Sequence, residues 1–86
     1  METWTVYLLK CADGTIYTGC TSNFLRRLEC HNSKLVSYTS TRLPVEVILT
    51  IEFRNKYAAF EFERYLKSGS GKEFSRRHFL NSPAVK

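Results

Sequence analysis

The sequence is poor in the residues that build the commonest phosphate-binding loops and metal centres. It contains four glycines, and they do not follow the spacing of a P-loop or of a Rossmann turn. Its single aspartate, Asp13, lies in an Ala-Asp-Gly segment, apart from the glutamates. A two-metal centre requires several carboxylates in one place. The sequence therefore argues against a nucleotide-binding loop of either type and against a two-metal site.

Cysteines and long apolar runs are also scarce. The three cysteines, Cys11, Cys20 and Cys30, are odd in number and lack C-x-x-C spacing, so they predict neither a disulfide framework nor a zinc site. As small hydrophobic residues they fit a reducing compartment. The N-terminus lacks the basic and apolar regions of a signal peptide, and no apolar run approaches the roughly 20 residues that cross a bilayer. We therefore expect a cytoplasmic protein with no membrane partner.

The residues that are present are those of a small, basic, folded domain. Hydrophobic residues make up 43% of the 86 positions and charged residues 24%, which is typical of a globular chain. This length predicts one domain over residues 1–86. Thirteen basic against eight acidic residues give a net charge of +5, which attracts polyanions. Nucleic acid is the first candidate, ahead of an anionic membrane surface.

The first third of the chain predicts a hairpin and a helix. Two β-rich runs, residues 4–9 and 15–18, flank the turn residues Ala12-Asp13-Gly14 and indicate an antiparallel pair of strands. One of the polar residues from Thr21 to Asn23 is expected to cap a helix over residues 23–31.

The rest of the chain predicts a polar loop over residues 32–44, a third strand over 45–53 and a second helix over 56–68, capped by Asn55. Ser70-Gly71-Lys72-Glu73 has capping-box spacing and is expected to start a last, basic helix, which is followed by a frayed tail. The predicted order of elements is ββαβαα, an α+β domain whose helices pack on a three-stranded antiparallel sheet.

Several polar residues have two possible roles. Tyr7 and Tyr17 can pack across the hairpin, which is the commoner fate of strand tyrosines, or can exchange protons beside a phosphate. Arg27 and His31 lie four residues apart, on one helix face. They can be a solvated charge and a histidine favoured by the helix dipole, or a phosphate clamp and a proton partner.

The second and last helices leave similar alternatives open. Glu61 and Glu63 flank the apolar face of the second helix on opposite sides, and periodicity does not choose between them. Glu63 and Lys67 have the spacing of a helix-stabilising ion pair. Lys72 belongs to a basic helix that can be a solvated face or a nucleic-acid contact.

Some of these residues recur in a recognisable order. Thr-Val-Tyr at 5–7 and Tyr-Thr-Gly at 17–19 are followed by Arg27-Leu28, by His31-Asn32 and by SYTSTRLPVEVI at 37–48. In this order they resemble the GIY-YIG endonuclease superfamily, particularly its small single-domain members, which have Gly-Ile-Tyr and Tyr-Ile-Gly at the first two places. Thr5 and Thr18 therefore stand where the family has glycine and isoleucine.

The resemblance covers about residues 4–75. Ala59, Glu63 and Lys67 match an alanine, a metal-binding glutamate and a lysine spaced four apart on the family's second long helix, and this match selects Glu63 over Glu61. It implies a metal-dependent endonuclease that hydrolyses phosphodiester bonds in DNA with one divalent ion, Mg²⁺ or Mn²⁺. The catalytic residues it implies are Tyr7, Tyr17, Arg27, His31 and Glu63, and the substrate-binding residues are Tyr38, Arg42, Lys67 and Lys72.

The resemblance also implies a role for each catalytic residue. Glu63 is expected to hold the metal ion, which polarises the scissile phosphate. Tyr7, assisted by His31, is expected to take the proton of the attacking water, and Arg27 to stabilise charge on the phosphate. Tyr17 and Lys67 are expected to position the DNA backbone.

Two other functions remain open at this level. A nucleic-acid-binding module without catalysis accounts for the charge of +5, and a protein-interaction domain accounts for Phe60, which lies off the core face of its helix. The sequence also leaves open the strand form of the nucleic acid and whether a partner protein assists targeting. Both a monomer and a weak dimer are compatible with it.

Overall fold

The computed structural model describes residues 3–80. The elements follow one another in the order β1 (Trp4–Lys10), β2 (Ile16–Thr21), α1 (Phe24–Asn32), α2 (Ser37–Ser40), β3 (Glu46–Phe53), α3 (Lys56–Lys67), α4 (Gly69–Ser75) and a π-helical turn (Arg76–Leu80). No helix within this range is both long enough and apolar enough to cross a membrane. The frayed tail predicted after the last helix lies outside the described residues.

The three strands form one antiparallel sheet in the order β2-β1-β3. The predicted hairpin between β1 and β2 is confirmed, and its turn uses the residues that the sequence indicated. Gly14 has φ +88°, a left-handed conformation that glycine adopts without strain, and Asp13 Oδ1 accepts a hydrogen bond from Thr15 N at 3.1 Å. Because β1 is the central strand, β2 remains an edge strand with one side of its backbone unpaired in the sheet.

Helices cover both faces of the sheet. On one face Val6 and Leu8 of β1 pack with Ala59 and Leu66 of α3 in the hydrophobic core. On the other face Tyr7 lies against α1, because successive side chains of a strand point to opposite sides. The sheet therefore separates two layers, one with α1 and α2 and the other with α3 and α4.

The predicted helix caps are confirmed in two places. Asn23 Oδ1 accepts a hydrogen bond from Arg26 N at 3.2 Å and thereby starts α1. Asn55 Oδ1 accepts from the backbone of Tyr57 at 2.8 Å and of Ala58 at 3.1 Å and starts α3.

Two local predictions were wrong. The segment 32–44 is not a continuous loop, since it contains α2, a single turn held by the buried side chain of Thr39. The last helix starts at Gly69 and is capped by Ser68, whose Oγ accepts from Gly71 N at 3.1 Å, rather than by a capping box at Ser70. Gly71 allows this tight start, because a Cβ there would lie 1.7 Å from the Tyr65 carbonyl oxygen. The last helix then changes to a π-helical turn after Ser75.

Candidate active site

Tyr7 lies at the centre of the candidate site. It occupies the middle of β1, pairs with Gly19 of β2, and has no exposed surface. Gly19 leaves the space that the phenol ring fills, since a Cβ on Gly19 would lie 2.4 Å from both Cζ and Oη of Tyr7. The phenol therefore lies across the neighbouring strand, a position that a side chain on residue 19 would block.

The phenol of Tyr7 belongs to a buried chain of hydrogen bonds. Its Oη is 3.0 Å from His31 Nε2, and His31 Nδ1 is 2.8 Å from Thr39 Oγ1. His31 and Thr39 both have no exposed surface. Thr39 Oγ1 donates to the Val36 carbonyl oxygen at 3.4 Å, so it accepts from His31 Nδ1. This network assigns the proton to Nδ1 and leaves the Nε2 lone pair to accept from the phenol of Tyr7.

Arg27 affects the same phenol. Burial raises the pKa of Tyr7 to about 12, and the nearby Arg27 guanidinium opposes that rise. The pKa of Arg27 is raised in turn by its interaction with Tyr7 and then with Tyr17, so the guanidinium stays charged near the two phenols. Because the Nε2 lone pair of His31 is free to accept, the proton of the Tyr7 phenol is directed to His31, and the positive charge of Arg27 lies near the same phenol.

The histidine is neutral in this environment. Burial lowers the pKa of His31, and the nearby positive charge of Arg27 lowers it further. A neutral imidazole whose Nε2 faces a phenol is a competent proton acceptor near neutral pH.

Aromatic rings fix the positions of Tyr7 and Tyr17. The ring centroids of Tyr7 and Phe24 are 5.3 Å apart, and those of Tyr17 and His31 are 4.8 Å apart. Tyr17 also contacts Tyr38, at 5.6 Å between centroids. The structure therefore brings Tyr7, Tyr17, His31 and Tyr38 into one cluster.

Arg42 is tied to the protein itself. Its Nε donates to Asp13 Oδ2 at 3.0 Å, its Nη1 donates to the Tyr38 carbonyl oxygen, and its guanidinium lies 4.2 Å from the centroid of the Tyr38 ring. These contacts join the segment after α2 to the hairpin turn. A role for Arg42 in substrate binding stays a prediction, and its engaged donors favour a structural role for the side chain.

Glu63 lies on the other side of the sheet from Tyr7. It belongs to α3, and Lys67 Nζ is 2.9 Å from its Oε2, with the Glu63 side chain 21% exposed. Its charge contributes, after burial, to raising the pKa of Cys20, which follows Gly19 on β2 and points to the opposite face from Tyr17. Glu63 is thus paired with Lys67 and acts by its charge on Cys20 of the edge strand, and no hydrogen bond joins it to the tyrosine cluster within residues 3–80.

The donor set around Glu63 permits one kind of metal ion. Residues 3–80 contain no cluster of three or more histidine, cysteine, aspartate or glutamate side chains that could enclose an ion. Mg²⁺ is commonly held by one or two carboxylates and keeps several water ligands, which substrate phosphates can replace. A single, partly exposed carboxylate fits an ion of this type and does not fit Zn²⁺ or a two-metal centre.

A cavity at the edge of β2 connects the two halves of the site. It has a volume of about 730 Å³, and four of the predicted residues line it: Tyr17, Tyr38, Lys67 and Lys72. Tyr17 and Tyr38 belong to the tyrosine cluster, while Lys67 is the ion-pair partner of Glu63. The predicted site residues therefore surround the edge strand, and they do not meet at one point in a single face of the sheet.

Two residues of the site were missed by the sequence reasoning. Gly19 was noted only as part of a tripeptide, and Thr39 only as part of a loop. The space above Gly19 and the hydrogen bond from His31 to Thr39 both join residues from different elements, so no local pattern signals them.

A comparison with known families decides which fold this is. The model of the GIY-YIG family, described as the GIY-YIG catalytic domain, matches residues 3–77. The chain belongs to the GIY-YIG family. This GIY-YIG chain is therefore a member of a nuclease superfamily, and membership implies a nucleic-acid substrate.

Its relatives support the same assignment. A UPF0213 protein of Lactococcus lactis subsp. cremoris is 44% identical over 68 residues, which are 78% of this chain and 69% of the relative. A UPF0213 protein of Natronomonas pharaonis is 45% identical over 64 residues, 73% of this chain and 75% of the relative. The solution NMR structure of a UPF0213 protein of Bacillus halodurans matches with a TM-score of 0.57 and 36% identity over 87% of this chain and 83% of that one. The GIY-YIG family and its α+β fold, both predicted from the sequence, are confirmed.

Proposed function

We propose that this protein is an endonuclease that hydrolyses phosphodiester bonds in DNA with the help of one divalent ion, Mg²⁺ or Mn²⁺. The observation that supports it best is the buried chain from Tyr7 through His31 to Thr39. A structural tyrosine needs one hydrogen-bond partner, whereas this one has a neutral imidazole to accept its proton and a guanidinium beside its oxygen. Such an arrangement is typical of a group that passes protons.

The hydrogen bonds from Tyr7 through His31 to Thr39 remove a difficulty in using a phenol as a base. With a pKa of about 12, the phenol of Tyr7 is almost never ionised at neutral pH. Tyr7 has no exposed surface in the free protein, so in our proposal the attacking water reaches it when DNA binds. Tyr7 Oη then accepts the proton of that water while its own proton moves to His31 Nε2. Thr39 holds the imidazole in the tautomer that this transfer requires. No free phenolate has to form before the reaction.

Arg27 and Glu63 would supply the electrostatic stabilisation that phosphodiester hydrolysis requires. The Arg27 guanidinium, beside both phenols, would bind the phosphate as negative charge develops on it. Glu63 is the residue that would hold the metal ion, as its carboxylate is partly exposed beside the edge strand. When bound, a divalent ion polarises a phosphate oxygen and stabilises a leaving oxygen. Lys67 and Tyr17 would position the DNA backbone between these groups.

The proposal is tested by removing the expected metal ligand. We expect Glu63→Ala to abolish cleavage of labelled DNA in Mg²⁺ or Mn²⁺ while DNA binding in EDTA is retained. Glu61→Ala is the matched control, since Glu61 lies on the same helix, pairs with Arg64 at 2.8 Å and is 72% exposed. Full cleavage by Glu63→Ala would exclude Glu63 as the metal ligand.

The same assay separates the endonuclease from a binding module that has lost catalysis. For the module we would expect salt-sensitive retention of DNA and no metal-dependent products from the unchanged protein. A cytoplasmic location, a targeting partner and a monomeric or weakly dimeric state are parts of the proposal that this assay leaves to separate measurements.

A further inference from the structure

The cavity at the edge of β2 has an apolar wall and a charged rim. Leu8, Ile16 and Leu66 contribute the apolar wall, and the exposed side chains of Lys67, Lys72 and Arg76 line the same cavity. Its volume of about 730 Å³ is within the range of small-molecule and cofactor sites. The cavity can therefore take a flat, largely apolar group that carries a negative charge at one end.

Ser75 gives the cavity a second property that points to a ligand. Its side chain lines the cavity and is 5% exposed, yet its Oγ has no hydrogen-bond partner within residues 3–80. Buried hydroxyl groups in proteins are almost always paired, because an unpaired one loses its bonds to water without replacement. A bound group that offers a donor or an acceptor would satisfy Ser75.

The charges along the rim differ in their availability. Lys67 is paired with Glu63, and Arg76 is paired with Glu73. Lys72 forms no ion pair with the described part of the chain, so it is the cation most available to an external anion. A ligand with an apolar plane, polar edge atoms and a phosphate matches the wall, Ser75 and Lys72 together.

The aromatic lining indicates that this ligand is part of a strand. Tyr17 and Tyr38 line the cavity and also belong to the cluster around Tyr7. Tyr38 is 39% exposed, which leaves part of its ring available for stacking. A nucleotide in the cavity would therefore lie next to the groups proposed to act on the phosphodiester bond.

We propose that this cavity holds the base of one unpaired nucleotide of a nucleic-acid strand, with Ser75 Oγ hydrogen-bonded to the edge of the base and Lys72 bound to an adjacent phosphate. The identity of that strand as substrate rests on the proposed function. A base inside a duplex is stacked and paired and must be extruded before it can enter such a pocket. The cavity thus selects single-stranded nucleic acid, or a duplex with an unpaired nucleotide, as the substrate class.

The test measures binding apart from cleavage. The unchanged protein in EDTA, where metal-dependent cleavage cannot occur, is titrated against a fluorescent single-stranded oligonucleotide and against its blunt duplex, with anisotropy as the readout. We expect the single strand to bind roughly tenfold or more tightly than the duplex, and Ser75→Leu, which fills the cavity, to remove most of that preference. Ser75→Ala should weaken single-strand binding by a smaller factor, roughly two- to tenfold, since it deletes one hydrogen bond.

Two control experiments separate binding in the cavity from general electrostatic attraction to nucleic acid. Lys72→Ala should weaken single-strand binding and reduce its salt dependence by about one counterion, whereas Arg64→Ala removes an equal charge from the exposed side of α3 and should change the single-strand preference little. An amide NMR titration should show shifts at Thr18, Ser75 and Leu66 and none at Phe60, which packs against Trp4 away from the cavity.

Each outcome of these binding experiments supports or overturns the cavity proposal. Equal binding of single strand and duplex, or a preference that survives Ser75→Leu in a folded variant, would overturn the cavity proposal. So would equally tight binding of a free mononucleotide, because the site would then recognise a small molecule. If the unchanged protein cuts no DNA but the preference depends on Ser75, the proposed hydrolysis fails and the base pocket stands.

Discussion

Gly19→Ala is the substitution whose effect follows most directly from the coordinates. The added Cβ would lie 2.4 Å from Cζ and Oη of Tyr7 and 2.8 Å from its Cε1, far inside van der Waals contact. The Tyr7 ring cannot move away easily, as it is fully buried and packs against Phe24 and His31. We expect the ring to shift and its hydrogen bond to His31 Nε2, now 3.0 Å long, to break.

The cost of this shift has two parts. Overpacking in a close-packed interior costs about 1–3 kcal/mol, and the lost hydrogen bond adds about 1 kcal/mol. For a domain of this size, 1 kcal/mol corresponds to a change in Tm of roughly 4–8 °C. The two costs together are about 2–4 kcal/mol, so we expect Gly19→Ala to lower Tm by roughly 8 °C or more, and to lower the cleavage rate by a larger factor than stability loss explains.

A second glycine provides the control for Gly19→Ala. Gly14 has φ +88° and no heavy atom near the position of an added Cβ, so Gly14→Ala strains the turn without touching Tyr7. It should cost about 1–2 kcal/mol of stability through the left-handed backbone alone, with the cleavage rate of the folded protein retained. Thermal unfolding and single-turnover cleavage of both variants are the measurements. A Gly19→Ala protein with unchanged Tm and unchanged rate would refute the close approach of Tyr7 to β2.

Three further predictions concern the groups around Tyr7. Thr39→Val should lower the cleavage rate roughly tenfold or more in a protein that still binds DNA, because the imidazole of His31 loses the partner that fixes its tautomer; a normal rate would exclude this role. Because the pKa of Tyr7 is raised, its contribution to the free energy of unfolding is complete below pH 10 and falls by about 2–3 kcal/mol between pH 10 and about 12. Because the pKa of His31 is lowered, its contribution is complete above pH 6.5 and is lost as the pH falls below that value. Urea unfolding at a series of pH values should show both losses, with the alkaline one smaller in Tyr7→Phe and the acid one smaller in His31→Gln. Arg42→Ala and Asp13→Asn should have equal effects on stability if Arg42 acts through Asp13, whereas a weaker salt dependence of DNA binding in Arg42→Ala would indicate a direct phosphate contact.

Most of the fold could be predicted from local sequence signals. Asp13-Gly14 specified the hairpin turn, and Asn55 specified the start of α3, since turn and cap chemistry act within a few residues. Strand alternation along β1 accounts for the position of Tyr7 on the face opposite Val6 and Leu8.

The elements that were missed depend on contacts between distant parts of the chain. The turn of helix at Ser37–Ser40 forms where Thr39 is buried against His31, and α4 begins early because Gly71 lets its backbone reach the end of α3. Composition marks both segments only as polar or glycine-containing, so a loop and a later cap were the local expectation.

The candidate site was predictable only through the ordered set of residues and not through any one motif. Sequence spacing put Arg27 and His31 on one helix face, but only the fold shows that His31 reaches a tyrosine 24 residues earlier in the chain. Glu63 was selected by its match to Ala59 and Lys67, and the structure places it across the sheet from Tyr7, with the cavity at the edge of β2 between the two groups.

The most direct test of the central claim is the cleavage rate of Tyr7→Phe. A phenylalanine keeps the buried ring and its contact with Phe24 but removes the oxygen that we propose as the proton carrier. Single-turnover cleavage of a labelled single strand in Mg²⁺ should fall by roughly 10²–10⁴, the usual contribution of an acid–base group, with single-strand binding in EDTA retained. Tyr57→Phe, at a tyrosine 70% exposed on α3, should cleave at the normal rate. A Tyr7→Phe protein that cleaves as fast as the unchanged protein would contradict the account.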